Sequence, residues 1–275
     1  MCRWLAYSGS PIRLEELLVK RDRSLIDQSL HSRLGATTTN GDGFGVGWYQ
    51  DGEPPRVYRS THPAWNDRNL KELAAGISSP LFFAHIRAST GGAIQETNVH
   101  PFRHGRWLWM HNGLIRDFPI VERELRVRVA EELYPSIEGT TDSETMFYLA
   151  LTFGLEDDPI AAVVQAVGFI EETGRKHDIE HPIQMTVATT NGESIWAFRY
   201  SSEHDSRSLY FSTRMDSLKA HYPELVELAQ LSDETRVVVS EPLGDLPGAW
   251  NKVPESHVGI VQPGEDELRP FRPSV

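Results

Sequence analysis

From Cys2 to Tyr7 the chain is largely apolar and then meets Ser8-Gly9-Ser10-Pro11, a pattern that predicts a short buried strand closed by a turn. Gly43 to Tyr49 alternates glycine with Phe44, Val46 and Trp48. Period two sets the large side chains on one face and leaves bare backbone on the other, so another segment is expected to approach that face closely. Further strands are predicted at Leu81–Arg87, Arg106–His111, Gln184–Thr190, Ser194–Tyr200, Ser208–Thr213, Arg236–Ser240 and His257–Val261. Helical spacing covers Asp67–Ile77, Pro119–Leu133, Ser143–Phe153 and Pro159–Glu172, the last with Asp158 as N-cap and Pro159 at the first helical position. Strands in antiparallel-looking runs, separated by a block of helix, predict an α+β domain with layers rather than a doubly wound sheet. No internal repeat or low-complexity linker divides the chain, so one domain is expected over residues 1–275, with a core at 2–262 and an extended Pro-rich tail at 263–275.

Composition narrows the function. With 27 Lys+Arg against 39 Asp+Glu the net charge is −12, a field that repels phosphate backbones and anionic lipid. Nucleic acid and membrane are therefore not expected as partners. A single cysteine in 275 residues forms no intrachain disulfide and no multi-cysteine metal site, and no leader-like segment opens the chain; a reducing, cytoplasmic location is expected. His100 and His104 are four apart but separated by Pro101, and no HExxH or CxxC pattern exists, so no metal is predicted. The glycines between Gly41 and Gly47 lack the Lys-Ser/Thr of a phosphate loop, and no cofactor is predicted.

Four stretches carry possible chemistry, each with a plain structural alternative. Cys2 follows Met1, and removal of that methionine leaves a residue bearing both a thiol and an α-amine. These titrate near pH ~8.5 and ~8, so the neutral amine can serve as base for its own thiol. The alternative is a small buried hydrophobe in a first strand. In His85-Ile86-Arg87-Ala88-Ser89-Thr90-Gly91-Gly92 a strand ends on an arginine suited to a two-pronged bond with a carboxylate, or to an ordinary ion pair. The Asn112-Gly113 pair after Trp107–His111 reads either as a hairpin tip or as an oxyanion hole formed by a side-chain amide and a backbone N–H. Asp142, before an apolar helix, reads as a cap, an alternative shared with Thr141, or as a partner for an ammonium group.

Met-Cys at the start, NGDGFGVGWY at 40–49, HIRAST at 85–90, TNVHPF at 97–102, MHNGLI at 110–115 and TDSETMF at 141–147 together resemble the class II glutamine amidotransferases, in the same order. Residues 26–33, Val237–Leu243, Trp250 and Val253-Pro254 are similar to the subgroup of YafJ-like proteins, the fungal glutathione-degradation subunit and the γ-glutamyl hydrolase of ergothioneine synthesis. The resemblance implies a four-layer α/β/β/α sandwich of the N-terminal-nucleophile hydrolase type. It implies Cys2 as nucleophile with its own amine as base, Asn112 and Gly113 as oxyanion hole, Arg87 for the substrate α-carboxylate and Asp142 for its α-ammonium. Thr90, Asn98 and His100 are placed around the same pocket, and His111 is left as structural.

The activity so implied is cleavage of a γ-glutamyl amide, in glutamine or a small γ-glutamyl compound, through a thioester on Cys2. Ala88 after Arg87 and Gly91 after Thr90 replace bulkier residues common in the family, which implies a roomier pocket and a larger leaving group. Because the glutaminase-like region occupies nearly the whole chain, two other readings stand beside simple hydrolysis. One is a glutaminase subunit that delivers ammonia to a separate synthase; the other is a non-catalytic binding module on the same fold.

Overall fold

The computed structural model describes residues 2–21, 23–30, 39–50, 52–89, 93–229 and 231–274. The strands are β1 (Arg3–Arg13), β2 (Phe44–Trp48), β3 (Arg56–Ser60), β4 (Ser78–Ile86), β5 (Phe102–His104), β6 (Trp107–Ile115), β7 (Ile183–Thr190), β8 (Ile195–Ser201), β9 (Tyr210–Ser212), β10 (Arg236–Val239), β11 (Trp250–Lys252), β12 (His257–Val261) and β13 (Glu267–Pro270). They form a seven-stranded sheet in the order β11-β9-β10-β1-β4-β2-β3 and a six-stranded sheet in the order β13-β12-β8-β7-β6-β5. All the strand pairings are antiparallel. The main helices are α1 (Glu15–Leu18), α2 (Leu25–Leu30), α3 (Arg68–Gly76), α4 (Phe118–Val127), α5 (Asp142–Thr152) and α6 (Pro159–Lys176).

Strand alternation sorts the apolar side chains into three stacked cores. Leu5, Tyr7, Phe82 and Ala84 pack with Leu17 of α1 and Leu70 and Ala74 of α3. Trp4, Ala6 and Phe83 of one sheet meet Leu108, Met110, Ala188 and Ala197 of the other. On the far side Trp109, Met185, Val187 and Phe198 bury Phe147, Leu151, Val163 and Val167 of α5 and α6. The result is helix, sheet, sheet, helix: an α+β fold with two antiparallel sheets between helical layers.

Several elements differ from their sequence-based expectation, each for a tertiary reason. The turn at Ser8–Pro11 is absorbed into β1, which runs on to Arg13 through a register shift between Ser8 and Ile12. The Tyr7 hydroxyl donates to the Ser10 carbonyl at 2.6 Å across that irregularity. Helix α4 stops at Val127, short of Leu133, because the Ala130 N–H turns to the Thr152 hydroxyl instead of continuing the helical ladder. Strands β3, β5, β11 and β13 are too short or too polar to show in the pattern. The tail is extended but not peripheral: β13 pairs with β12, and Phe271 is 1% exposed against Phe198 and Tyr200.

The bare face of β2 is occupied as its glycines imply. A Cβ on Gly45 would collide with the His100 carbonyl, and one on Gly47 would sit 2.9 Å from both Leu108 and Pro101. Residues 100 and 101 are thereby pressed onto the sheet next to the strand that carries Arg87.

Candidate active site

Cys2 precedes β1, a central strand whose neighbours are β10 on one side and β4 on the other. Its half-buried thiol lies 3.5 Å from the Ala88 carbonyl and 3.4 Å from the Ala88 N–H, just beyond the end of β4. The Cys2 carbonyl accepts two hydrogen bonds at 3.0 Å, from the Arg3 guanidinium and from the Asn112 amide. Arg3 is itself fixed: its Nε and a terminal nitrogen each lie 2.8 Å from the Glu241 carboxylate, with both side chains almost fully buried. Cys2 is thus held through its carbonyl by two side chains.

Asn112 and Gly113 lie in the middle of a ladder, opposite Thr186 and Met185 of β7. This overturns the hairpin-tip alternative. The Asn112 side chain bonds to Cys2, and a Cβ on Gly113 would strike the Gln184 carbonyl and sit 2.5 Å from a His111 ring nitrogen. The Asn112 amide has a second N–H beyond the one given to Cys2.

Arg87 leaves the end of β4 with its side chain 5% exposed, and donates to Ser89 Oγ at 3.3 Å and the Ala93 carbonyl at 3.4 Å. Its second terminal nitrogen is buried without a hydrogen-bond partner among the described residues, and no carboxylate pairs with it there. A buried guanidinium without a counter-charge is costly unless something anionic completes it. The backbone around it is held by Arg87 N–H to Gly43 O at 2.8 Å and by Ser89 N–H to the Asp42 carboxylate at 2.7 Å.

Asp142 is the first residue of α5, but the cap is Thr141, whose side chain accepts from Glu144 N–H at 3.2 Å. One Asp142 oxygen accepts from Ile115 N–H at 2.8 Å and the other from Ser143 N–H at 2.7 Å. Helix α5 is thereby tied to the end of the strand that carries Asn112. Asn98 is fully buried and does structural duty: it donates to Ala93 O at 3.0 Å and Thr140 Oγ1 at 3.1 Å, and accepts from Thr140 N–H at 2.8 Å. It bridges the segment after Arg87 to the loop before Asp142. Thr90 lies outside the described residues.

His100 faces inward against His85, ring centroids 4.2 Å apart, and neither of its ring nitrogens has a hydrogen-bond partner among the described residues. His111 reaches Ser143 Oγ at 2.8 Å. Burial lowers the pKa of all three, to about 3 for His85 and well below the ordinary value for His100, while Asp142 works against the shift at His111. His85 and His100 are therefore neutral in the folded protein near neutral pH, which suits packing behind Arg87 better than proton transfer. The linkage sign follows: between pH 6.5 and about 3 the unfolded chain binds the proton that folded His85 refuses. Stability is present in full above pH 6.5 and falls as pH drops through that window. Urea unfolding from pH 8 to pH 4 should show the decline, and His85→Gln should make it shallower while His100 and His111, shifted in the same direction, sustain the remainder.

Two parts of the site are not singled out by the sequence as site residues, although Glu241 lies in the Val237–Leu243 stretch that carries the subgroup resemblance. Glu241 anchors Arg3 from the end of β10, and Arg207, in the loop between β8 and β9, interacts electrostatically with Cys2, Arg3 and His111. Both come from segments far from the N-terminus in sequence, and only the strand order β9-β10-β1 brings them in. Among the described residues no group of three or more His, Cys, Asp or Glu side chains is arranged to hold a metal, and no helix is long and apolar enough to cross a membrane.

Comparison with known proteins identifies the family. The chain is 35% identical, over 98% of its length and 84% of the relative's, to a probable glutamine amidotransferase, DUG3, of Saccharomyces cerevisiae. It is 28% identical, over 98% of its length and 100% of the relative's, to the gamma-glutamyl-hercynylcysteine sulfoxide hydrolase of Mycolicibacterium smegmatis. A solved class-II glutamine aminotransferase domain protein from Silicibacter pomeroyi superposes with a TM-score of 0.76 at 30% identity, covering all of both chains. The glutamine PRPP amidotransferase of B. subtilis shares the fold, with a TM-score of 0.65 at 15% identity over 98% of this chain and 49% of its own. With residues 18–271 matching the family model for class-II glutamine amidotransferases, the chain belongs to that family.

Proposed function

We propose that the protein hydrolyses the γ-glutamyl amide bond of a small molecule, with Cys2 as N-terminal nucleophile once Met1 has been removed. The observation that carries this reading is the junction at Cys2. A thiol at the end of a central strand has on the β4 side a buried Arg87 with no carboxylate partner among the described residues, and an Asn112–Gly113 pair at its own carbonyl.

The chemistry follows from those groups. The α-amine of Cys2 takes the thiol proton as sulfur attacks the substrate δ-carbon, and the carbonyl electrons move onto oxygen. The second N–H of the Asn112 amide and the Gly113 N–H are suited to receive that oxyanion. When the tetrahedral species collapses, the C–N bond breaks and the protonated amine hands its proton to the departing nitrogen. A water molecule then attacks the glutamyl thioester, giving its proton to the same amine. Glutamate leaves and the thiol is restored. Arg87 takes the α-carboxylate and Asp142 the α-ammonium of the glutamyl head, so recognition rests on the half that all γ-glutamyl compounds share. His100 and Asn98 support this pocket by packing and bridging, and Thr90 belongs to the same segment as Arg87.

Two relatives bear on the substrate: one is named a γ-glutamyl hydrolase, the other a probable glutamine amidotransferase. Substrates are expected to be soluble metabolites of the cytoplasm, where a lone cysteine stays reduced. The test is glutamate release from glutamine and from a set of γ-glutamyl dipeptides by the purified, Met1-free chain. The proposal predicts turnover of at least one dipeptide without any added protein. Glutamine turnover that arises only with a co-purifying subunit would favour the ammonia-delivering reading instead.

A further inference from the structure

The buried or half-buried arginines near Cys2 fall into two kinds. Arg3 is paired with Glu241, and Arg199 of β8 lies 3.5 Å from the Glu255 carboxylate. Arg87 and Arg207 have no carboxylate partner among the described residues, and Arg207 goes further: its guanidinium makes no hydrogen bond there, and its Nε is buried without a partner. Arg87 is accounted for by the glutamyl head. Arg207 is not.

Its position is built rather than incidental. The Arg199 Nε donates to Ser206 Oγ and to the Arg207 carbonyl, both at 2.9 Å, and the Glu255 carboxylate accepts from the Ser206 N–H at 3.2 Å and hydroxyl at 2.5 Å. The Gln184 amide holds the Asp205 carbonyl at 2.6 Å, drawing the loop over the start of β7 beside Leu114 and the oxyanion-side Gly113. On the other side Ser208 Oγ donates to the Ser240 carbonyl at 2.8 Å, next to the Glu241 that anchors Arg3. A clamped loop thus holds a charged donor, without a carboxylate partner among the described residues, where it interacts electrostatically with Cys2.

Sheet order sets Arg87 and Arg207 on opposite sides of β1. Arg87 follows β4, on one side of β1; Arg207 precedes β9, beyond β10 on the other. A carbonyl attacked by Cys2 carries the glutamyl chain on one substituent and the departing nitrogen on the other. With the glutamyl carboxylate at Arg87, a departing half that runs across β1 to the β10 side meets Arg207.

We infer that Arg207 binds a carboxylate on the departing half of the substrate, so that the enzyme selects γ-glutamyl amides of amino acids or peptides over glutamine. This rests on the hydrolase reading above. Glutamine releases ammonia and offers nothing to Arg207, whereas a γ-glutamyl amino acid offers an anion that completes its hydrogen bonds.

The test compares γ-glutamylglycine with γ-glutamylglycinamide, which differ only in that carboxylate, on wild type, Arg207→Gln and Arg207→Lys. Wild type should show a KM roughly tenfold lower for the carboxylate form, the smaller effect expected of a charged hydrogen bond. Arg207→Gln should bring the two KM values within about twofold of each other, and Arg207→Lys should restore part of the difference. A preference that survives Arg207→Gln, or a wild type without one, would overturn the inference. So would an equal loss on both substrates with a shifted pH–rate profile, which would make Arg207 a partner of the Cys2 thiolate only. Absence of glutamate release from either substrate by wild type would instead contradict the hydrolase reading itself, and Arg207's part in it.

Discussion

Cys2→Ala is expected to abolish glutamate release while leaving the fold intact. The thiol is the sole nucleophile in the proposed reaction, and the base is the amine of the same residue, so alanine removes the bond-forming atom while keeping the amine. Loss of such a nucleophile lowers turnover by at least about 10³-fold. Structurally the change is small: the side chain is half-buried, its sulfur contacts at 3.4 and 3.5 Å are weak, and the Cys2 carbonyl bonds from Arg3 and Asn112 are backbone features that survive. The unfolding free energy should therefore shift by no more than about 1 kcal/mol. Steady-state kinetics beside urea unfolding checks both halves. A variant that retained turnover would leave the N-terminal residue without a catalytic part, and one that unfolded would make Cys2 a packing residue.

Arg87→Gln is expected to separate binding from stability in the opposite sense. Arg87 is 5% exposed, and its guanidinium has a buried nitrogen without a partner among the described residues and no carboxylate beside it there. Removing an uncompensated buried charge relieves the folded state, so the thermal midpoint should stay at or above that of wild type. In the complex the same group meets the glutamyl carboxylate, and its loss costs about 3 kcal/mol, a rise in KM of roughly 100-fold. The rise should be the same for every γ-glutamyl substrate, because all share that carboxylate. A fall in midpoint without a change in KM would show that Arg87 is a structural residue.

How far the sequence carries can be judged at particular positions. Gly45 and Gly47 announce a close approach, and the His100–Pro101 segment makes it. Asp158 and Pro159 announce a helix start, and the Asp158 carboxylate accepts from Ile160 and Ala161 N–H at 3.1 Å. Local pattern sufficed there because the physical cause is local. Asn112-Gly113 misleads by the same logic: in isolation the dipeptide is a turn, and only the contacts with Cys2 and Gln184 explain why it stays in a strand. Within the site, Arg87 and Asp142 were readable as charged residues at element ends, whereas Asn98 turns out to bridge two loops, and His100 to pack on His85. Arg207 lies in no recognisable stretch, and Glu241 lies in one, Val237–Leu243, that gives no sign of its pairing with Arg3; the meaning of both comes from the neighbours that sheet order supplies.

Affinity labelling tests the central claim most directly. The purified chain, treated with the glutamine-analogue electrophile diazo-oxo-norleucine and followed by intact and peptide mass spectrometry, should lack Met1 and gain a single adduct on Cys2. Activity should fall in step with labelling. Protein that lacks Met1 yet gains no adduct, or gains it on another residue, would contradict the assignment of Cys2 as the nucleophile.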